Sequence, residues 1–79
     1  SLKNATHRVV RYLLTQMAPL QNAVSSFELP MAKQLIAGHL SIQPETFSRI
    51  IRRLIDEQII SQDGRLISVL DCMRLQHFE

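Results

Sequence analysis

The 79-residue chain has one cysteine, two glycines, three prolines and no apolar run longer than three residues. A lone Cys72 excludes an internal disulfide and fits a reducing compartment. Runs this short cannot supply the roughly 20 consecutive apolar residues of a membrane-spanning helix. The amino terminus also lacks a charged-then-apolar leader, so the chain reads as cytoplasmic with no membrane partner. No Gly-rich phosphate loop, no Ser-His-Asp order and no paired carboxylates facing a pocket can be drawn, and an enzyme is not expected. His7, His39 and His77 are scattered, and Cys72 with His77 lacks further ligands at metal spacing. No metal site is expected; a zinc-binding regulator built on that pair would have to retain zinc through dialysis.

What the chain does have is 46% hydrophobic and 20% charged residues without repeats or biased segments, the composition of a globular domain. At this length only roughly 60% of the unfolded surface is buried on folding, so the core is thin and each apolar helix face matters. The formal net charge of +2 is mild, but its distribution is uneven. Residues 1–29 carry Lys3, Arg8 and Arg11 against Glu28, and residues 30–53 carry Lys33, Arg49, Arg52 and Arg53 against Glu45. Residues 54–79 carry Arg65 and Arg74 against Asp56, Glu57, Asp63, Asp71 and Glu79. The middle segment is therefore the most positive part of the chain.

Val9, Val10, Leu13, Leu14 and Met17 recur at helical spacing behind Asn4, which predicts a helix over 5–18 capped by Asn4 and stopped by Pro19. Residues 20–26 have little periodicity and read as a loop, and Phe27 and Leu29 around Glu28 suggest a short strand. Pro30 suits a helix start, and Ala32, Leu35, Ile36 and Leu40 give the stripe of a helix over 30–40. Ser41 and Ile42 form a turn, and a helix over 43–58 follows, with Gln43 capping and Pro44 in its first turn. Ile59-Ile60 and the run from Leu66 to Leu70 flank Asp63-Gly64, a hairpin signal expected to form a type I′ turn. The tail over 71–79 is either a short helix or frayed. This order predicts an α+β, mainly α, winged helix-turn-helix: three helices, a small antiparallel sheet and a β-hairpin wing.

At about 100° per residue, Phe47, Ile50, Ile51, Leu54 and Ile55 fall on one side of the helix over 43–58, and Glu45, Arg49, Arg52 and Asp56 on the other. Reading base edges in a major groove needs polar side chains at i, i+3 and i+4 near a helix N-terminus. Glu45, Ser48 and Arg49 meet that requirement: Arg49 can donate twice to guanine, Glu45 can accept from a cytosine amine, and Ser48 can do either. Lys33, Gln34 and Thr46 sit near helix starts suited to holding phosphates. Arg52 and Arg53 lie further along, and Gln62 and Arg65 are at the hairpin tip, as further DNA-backbone candidates. The alternative is a solvated face in which Glu45–Arg49, Arg52–Asp56 and Arg53–Glu57 form i,i+4 pairs worth about 0.2–0.5 kcal/mol each.

Glu45-Thr46-Phe47-Ser48-Arg49, the following Ile50-Ile51-Arg52-Arg53-Leu54 and the hairpin from Ile60 to Val69 resemble the C-terminal DNA-binding domain of the Crp/Fnr transcription regulators. The resemblance runs from Asn4-Ala5-Thr6-His7-Arg8-Val9 to Leu70, and the E-x-x-S-R pattern is similar to the Fnr and Dnr branch, whose half-sites are TTGA-like. It implies that Glu45 and Arg49 read the G·C pair and that Ser48 reads a neighbouring thymine. Ser41 stands where many members have Gly in the turn. The resemblance also implies a longer protein with a β-roll sensor domain and a dimerisation helix, of which residues 1–79 would be the DNA-binding part. No cofactor is then expected in this part, since an effector would bind the sensor domain. The expected partner is double-stranded DNA with a palindromic operator, bound by a homodimer of the intact protein, while this part alone would be a monomer. RNA polymerase is a candidate protein partner. The competing functional reading is a winged helix used as a protein-interaction module, which would show no salt-dependent binding to duplex DNA.

Overall fold

A computed structural model of the chain describes residues 2–17 and 26–79. In chain order it contains α1 (Leu2–Met17), β1 (Ser26–Glu28), α2 (Lys33–His39), α3 (Pro44–Asp56), β2 (Ile60–Asp63), β3 (Leu66–Val69) and α4 (Cys72–Gln76). The expected winged-helix order is present, and the tail adds a fourth helix. No helix among the described residues is long and apolar enough to cross a membrane.

Helix α1 buries Thr6, Val9, Val10 and Leu13 on one face. The Thr6 hydroxyl donates to the Leu2 carbonyl at 2.9 Å, which satisfies it inside the core. Because the helix already includes Leu2, Asn4 is an interior residue and not the expected cap. The expected stop at Pro19 and the loop over 20–25 lie outside the described residues, while Ser26 opens β1.

Helix α2 starts later than Pro30 suggested. The Leu29 N–H donates to the Arg65 carbonyl at 2.8 Å, so the chain is still tied to the sheet there, and Ala32 is the cap residue. The buried stripe shifts with the start: Ile36 and Ala37 are buried, Leu40 is partly buried, and Leu35 is 63% exposed. Helix α3 begins where expected, with Gln43 extended at the cap and Pro44 in the first turn. It ends at Asp56, two residues short of the expectation.

Both helices end in the same way. In α2 the Ser41 N–H donates to Gly38 at 3.1 Å and the Ile42 N–H to Ala37 at 2.9 Å; in α3 the Gln58 N–H donates to Ile55 and the Ile59 N–H to Leu54, both at 2.9 Å. This paired bonding is the Schellman motif, which places one residue in the left-handed region and packs an apolar residue back on the helix. Ser41 has φ 58° and Gln58 φ 60°, and Ile42 and Ile59 are the buried residues that follow them.

The three strands form an antiparallel sheet in the order β1-β3-β2. Phe27 faces Ile67 and Ile60 faces Val69, which puts four buried side chains on the face turned to the helices. On the other face the Ser26 and Ser68 hydroxyls are 2.8 Å apart. Asp63 pairs with Leu66, so the hairpin loop is Gly64-Arg65 and not Asp63-Gly64. Within that loop positive φ is confined to Gly64 at 61°, the pattern of a type II′ turn with glycine first, which replaces the expected type I′. Asp71 caps α4 by accepting the Arg74 N–H at 3.0 Å, and Leu75 enters the core beside α1.

The Tyr12 hydroxyl is buried without a hydrogen-bond partner among the described residues, and burial raises its pKa from the ordinary 10.0. The raised value means that stability is fully present below pH 10 and falls as the pH rises above it, because only the unfolded chain ionises there. Tyr12→Phe should therefore leave stability at neutral pH unchanged or raise it by up to about 1 kcal/mol and flatten the loss above pH 10 in urea melts. Ser41→Gly and Gln58→Gly should each stabilise by about 0.5–1 kcal/mol, since a side chain in the left-handed region carries a strain that glycine lacks. Thermal unfolding should show this as a rise of roughly 2–8 °C, and Gly64→Ala should move the midpoint the other way.

Candidate nucleic-acid interface

The burial of Phe47, Ile50, Ile51 and Leu54 fixes the rotation of α3, so its opposite face is open to solvent. Glu45, Ser48 and Arg49 stand exposed on its first two turns. The side chains of Glu45 and Arg49 are 75% and 76% accessible, and Arg49 Nη2 donates to Glu45 Oε1 across one helical turn. A carboxylate in the first turn is favoured by the helix dipole, and the pair sets an acceptor beside a donor fork at the helix front. An arrangement of this kind can match a base pair that offers complementary acceptors and a donor.

The other predicted residues fall into three places. Arg52 continues the exposed face and lies 3.9 Å from Asp56. Arg53 does not join them or pair with Glu57: its guanidinium lies over the Phe78 ring, 4.9 Å from the centroid, while Glu57 is bonded to Arg74. Thr46 is partly buried in a shallow cleft between α1 and the start of α3 that also includes Asn4, Arg8 and Gln43. Gln34 is exposed in the first turn of α2, and Arg65 is exposed on the wing turn. Lys33 and Gln62, 29 residues apart, are brought into contact, with Lys33 Nζ donating to Gln62 Oε1 at 3.1 Å.

Two arginines had no role in the sequence reading beyond their charge. Arg8 of α1 reaches the turn between α2 and α3, its Nη1 lying 3.3 Å from the Leu40 carbonyl and 3.4 Å from that of Ser41. Arg74 of α4 donates to the Glu57 carbonyl at 2.9 Å and meets its carboxylate at 3.2 Å. Each covers a carbonyl at the end of a helix, and nothing in local spacing marks a contact over such separations. Cys72 is half-buried and accepts from Gln76 Nε2 at 3.7 Å. Among the described residues no three His, Cys, Asp or Glu side chains gather as a metal site would need.

An α2–turn–α3 unit packed under α1, with a hairpin wing beside it and a polar, accessible front on α3, is a winged helix-turn-helix. The family described as the Crp-like helix-turn-helix domain matches residues 7–78, and the chain belongs to it. It is 33% identical over 72 residues to the probable transcriptional regulator flp of Lacticaseibacillus casei, spanning 90% of this chain and 32% of that protein. It is 27% identical over 78 residues to the transcriptional activator protein Anr of Pseudomonas protegens, spanning 95% and 32%. The crystal structure of DNR from Pseudomonas aeruginosa superposes with a TM-score of 0.86 at 67% identity, covering 99% of this chain and 34% of that one. The chain thus spans about a third of the length of these relatives. It is a DNA-binding domain of the transcription-regulator class and not an enzyme.

Proposed function

We propose that residues 1–79 are the operator-reading domain of a bacterial transcription regulator that recognises a TTGA-like half-site. The observation that carries this reading is the exposed trio of Glu45, Ser48 and Arg49 on the leading turns of α3. With that helix end in the major groove, Arg49 donates to guanine O6 and N7, Glu45 accepts from the paired cytosine, and Ser48 meets the adjacent thymine. Gln34 and Lys33 at the start of α2, Arg52 along α3 and Arg65 on the wing hold backbone phosphates, and Thr46 does so from the edge of its cleft. Arg53 is left out of this set because its guanidinium is engaged by Phe78.

The intact protein acts in the cytoplasm as a homodimer on a palindromic operator, its two recognition helices about 34 Å apart, one turn of B-DNA. RNA polymerase is its partner at the promoter, and the signal is bound by the part of the protein outside these residues. On its own the domain lacks the second half-site and binds weakly.

The test is fluorescence anisotropy of this chain with a TTGA palindrome and a scrambled duplex at low salt. The parent should prefer the palindrome, and Arg49→Ala should lose about 1–3 kcal/mol of that preference while retaining the salt-dependent background. If parent and mutant both bind the two duplexes equally, the assignment of Arg49 is wrong. The absence of salt-dependent binding to either duplex would favour a protein-interaction module instead.

A further inference from the structure

We infer that Gln62 is a positioning residue that locks the wing to α2, so that Lys33 and Arg65 meet a nucleic-acid backbone at a fixed spacing. The inference rests on the DNA-binding reading above and gives Gln62, a DNA-backbone candidate in the sequence, a different role. Gln62 pairs with Ile67 across the sheet, and strand alternation places it on the same face as Ile60 and Val69, towards the helices. At the end of that face a partly buried amide needs partners for both of its ends, and it has them. Its Oε1 accepts from Lys33 Nζ at 3.1 Å, and its Nε2 donates to the Gly64 carbonyl at 2.9 Å.

The relay ends at the wing turn. Gly64 is the first residue of the two-residue loop, and the next carbonyl, that of Arg65, is held by the Leu29 N–H at 2.8 Å. Two successive carbonyls of the tip are therefore tied inward, one to α2 through Gln62 and one to the chain leaving β1. The negative ends of these peptide groups are kept from an approaching phosphate, and the Arg65 side chain is left as the exposed positive charge of the tip, beside the exposed carboxylate of Asp63. Lys33 spends one of its three donors on Gln62 and keeps two. Because Gln62 is neutral, it restrains the ammonium without cancelling its charge. A lysine already restrained loses less rotamer freedom when it binds an anion, so the latch favours binding by preorganisation.

A double-mutant cycle on DNA binding by this chain tests the latch, using Lys33→Met and Gln62→Met to keep side-chain volume. Each single change should weaken binding to the palindrome and to the scrambled duplex alike, by about fivefold. The double change should weaken binding by less than the product of the two single losses, because Gln62 acts in part through Lys33. Losses that multiply would mean that Gln62 acts independently of Lys33, and an unaffected Gln62→Met would mean that it does nothing there; either result overturns the inference. A second measurement needs no DNA: Lys33→Met should shift the backbone amide NMR signals of Gly64 and Arg65, and unchanged signals would reject the relay. A parent chain that fails to bind duplex DNA refutes the function proposed above, while the amide shifts still decide whether the wing is latched.

Discussion

The rotation of α3 in the core governs the rest of the domain. Phe47, Ile50 and Leu54 are fully buried and Ile51 nearly so, and each such side chain contributes roughly 1.5–3 kcal/mol by leaving water. In a chain this small these few residues are a large part of the total driving force. Turning the helix by one residue would expose part of that stripe and drive Arg49 or Arg52 towards the interior, where an unpaired charge is costly. The polar front is accessible because the apolar side has only one good way to dock. α1 and α2 both pack against α3, so the same burial also sets the positions of their ends.

Holding α3 at both ends is a separate problem, solved with strained residues and long side chains. The turn before it and the turn after it each place a non-glycine residue at positive φ, Ser41 and Gln58. Such residues each carry a strain of about 1–2 kcal/mol that persists only when surrounding contacts enforce it. Here the enforcement is visible: Ile42 and Ile59 are buried directly after the strained residues, Arg8 covers the carbonyls of the first turn, and Arg74 covers the second. α1 and α4 thus reach the recognition unit through arginine side chains as well as through the core.

Much of this could be read from the chain, and the failures have common causes. The period of Phe47, Ile50, Ile51 and Leu54 is unambiguous, so both the burial and the exposed face of α3 followed from it. The hairpin was legible because Gly64 sits between two apolar runs, but its turn type was not: register decided that Gly64-Arg65, not Asp63-Gly64, would be the loop. Pro30 misplaced the start of α2 because its local preference was overridden by a bond between Leu29 and Arg65, a contact invisible to any window of neighbouring residues. Arg8, Arg74 and the pairing of Lys33 with Gln62 were missed for the same reason, since all three are contacts between separate elements. The trio of the candidate site lies within one helix, and there spacing alone was enough to place its three side chains on the exposed face.

The Glu45–Arg49 pair bears on how such a front could be selective in a domain with a modest positive charge. Between two exposed side chains the pair is worth only about 0.3–0.5 kcal/mol, so separating it to engage a base pair costs little. A carboxylate held at the leading turn is nonetheless repelled by phosphates, and it weakens every approach in which Glu45 finds no donor. Arginine alone would be attracted to any duplex; a neighbouring glutamate removes part of that attraction unless an amine is present to restore it. Selectivity of this kind depends on a site that is penalised when mismatched, more than on the strength of the matched contact. The latch between Lys33 and Gln62 has the opposite character, since it keeps a full positive charge in place without regard to sequence. On the proposed reading, the two devices would separate where the domain holds a duplex from where it reads one.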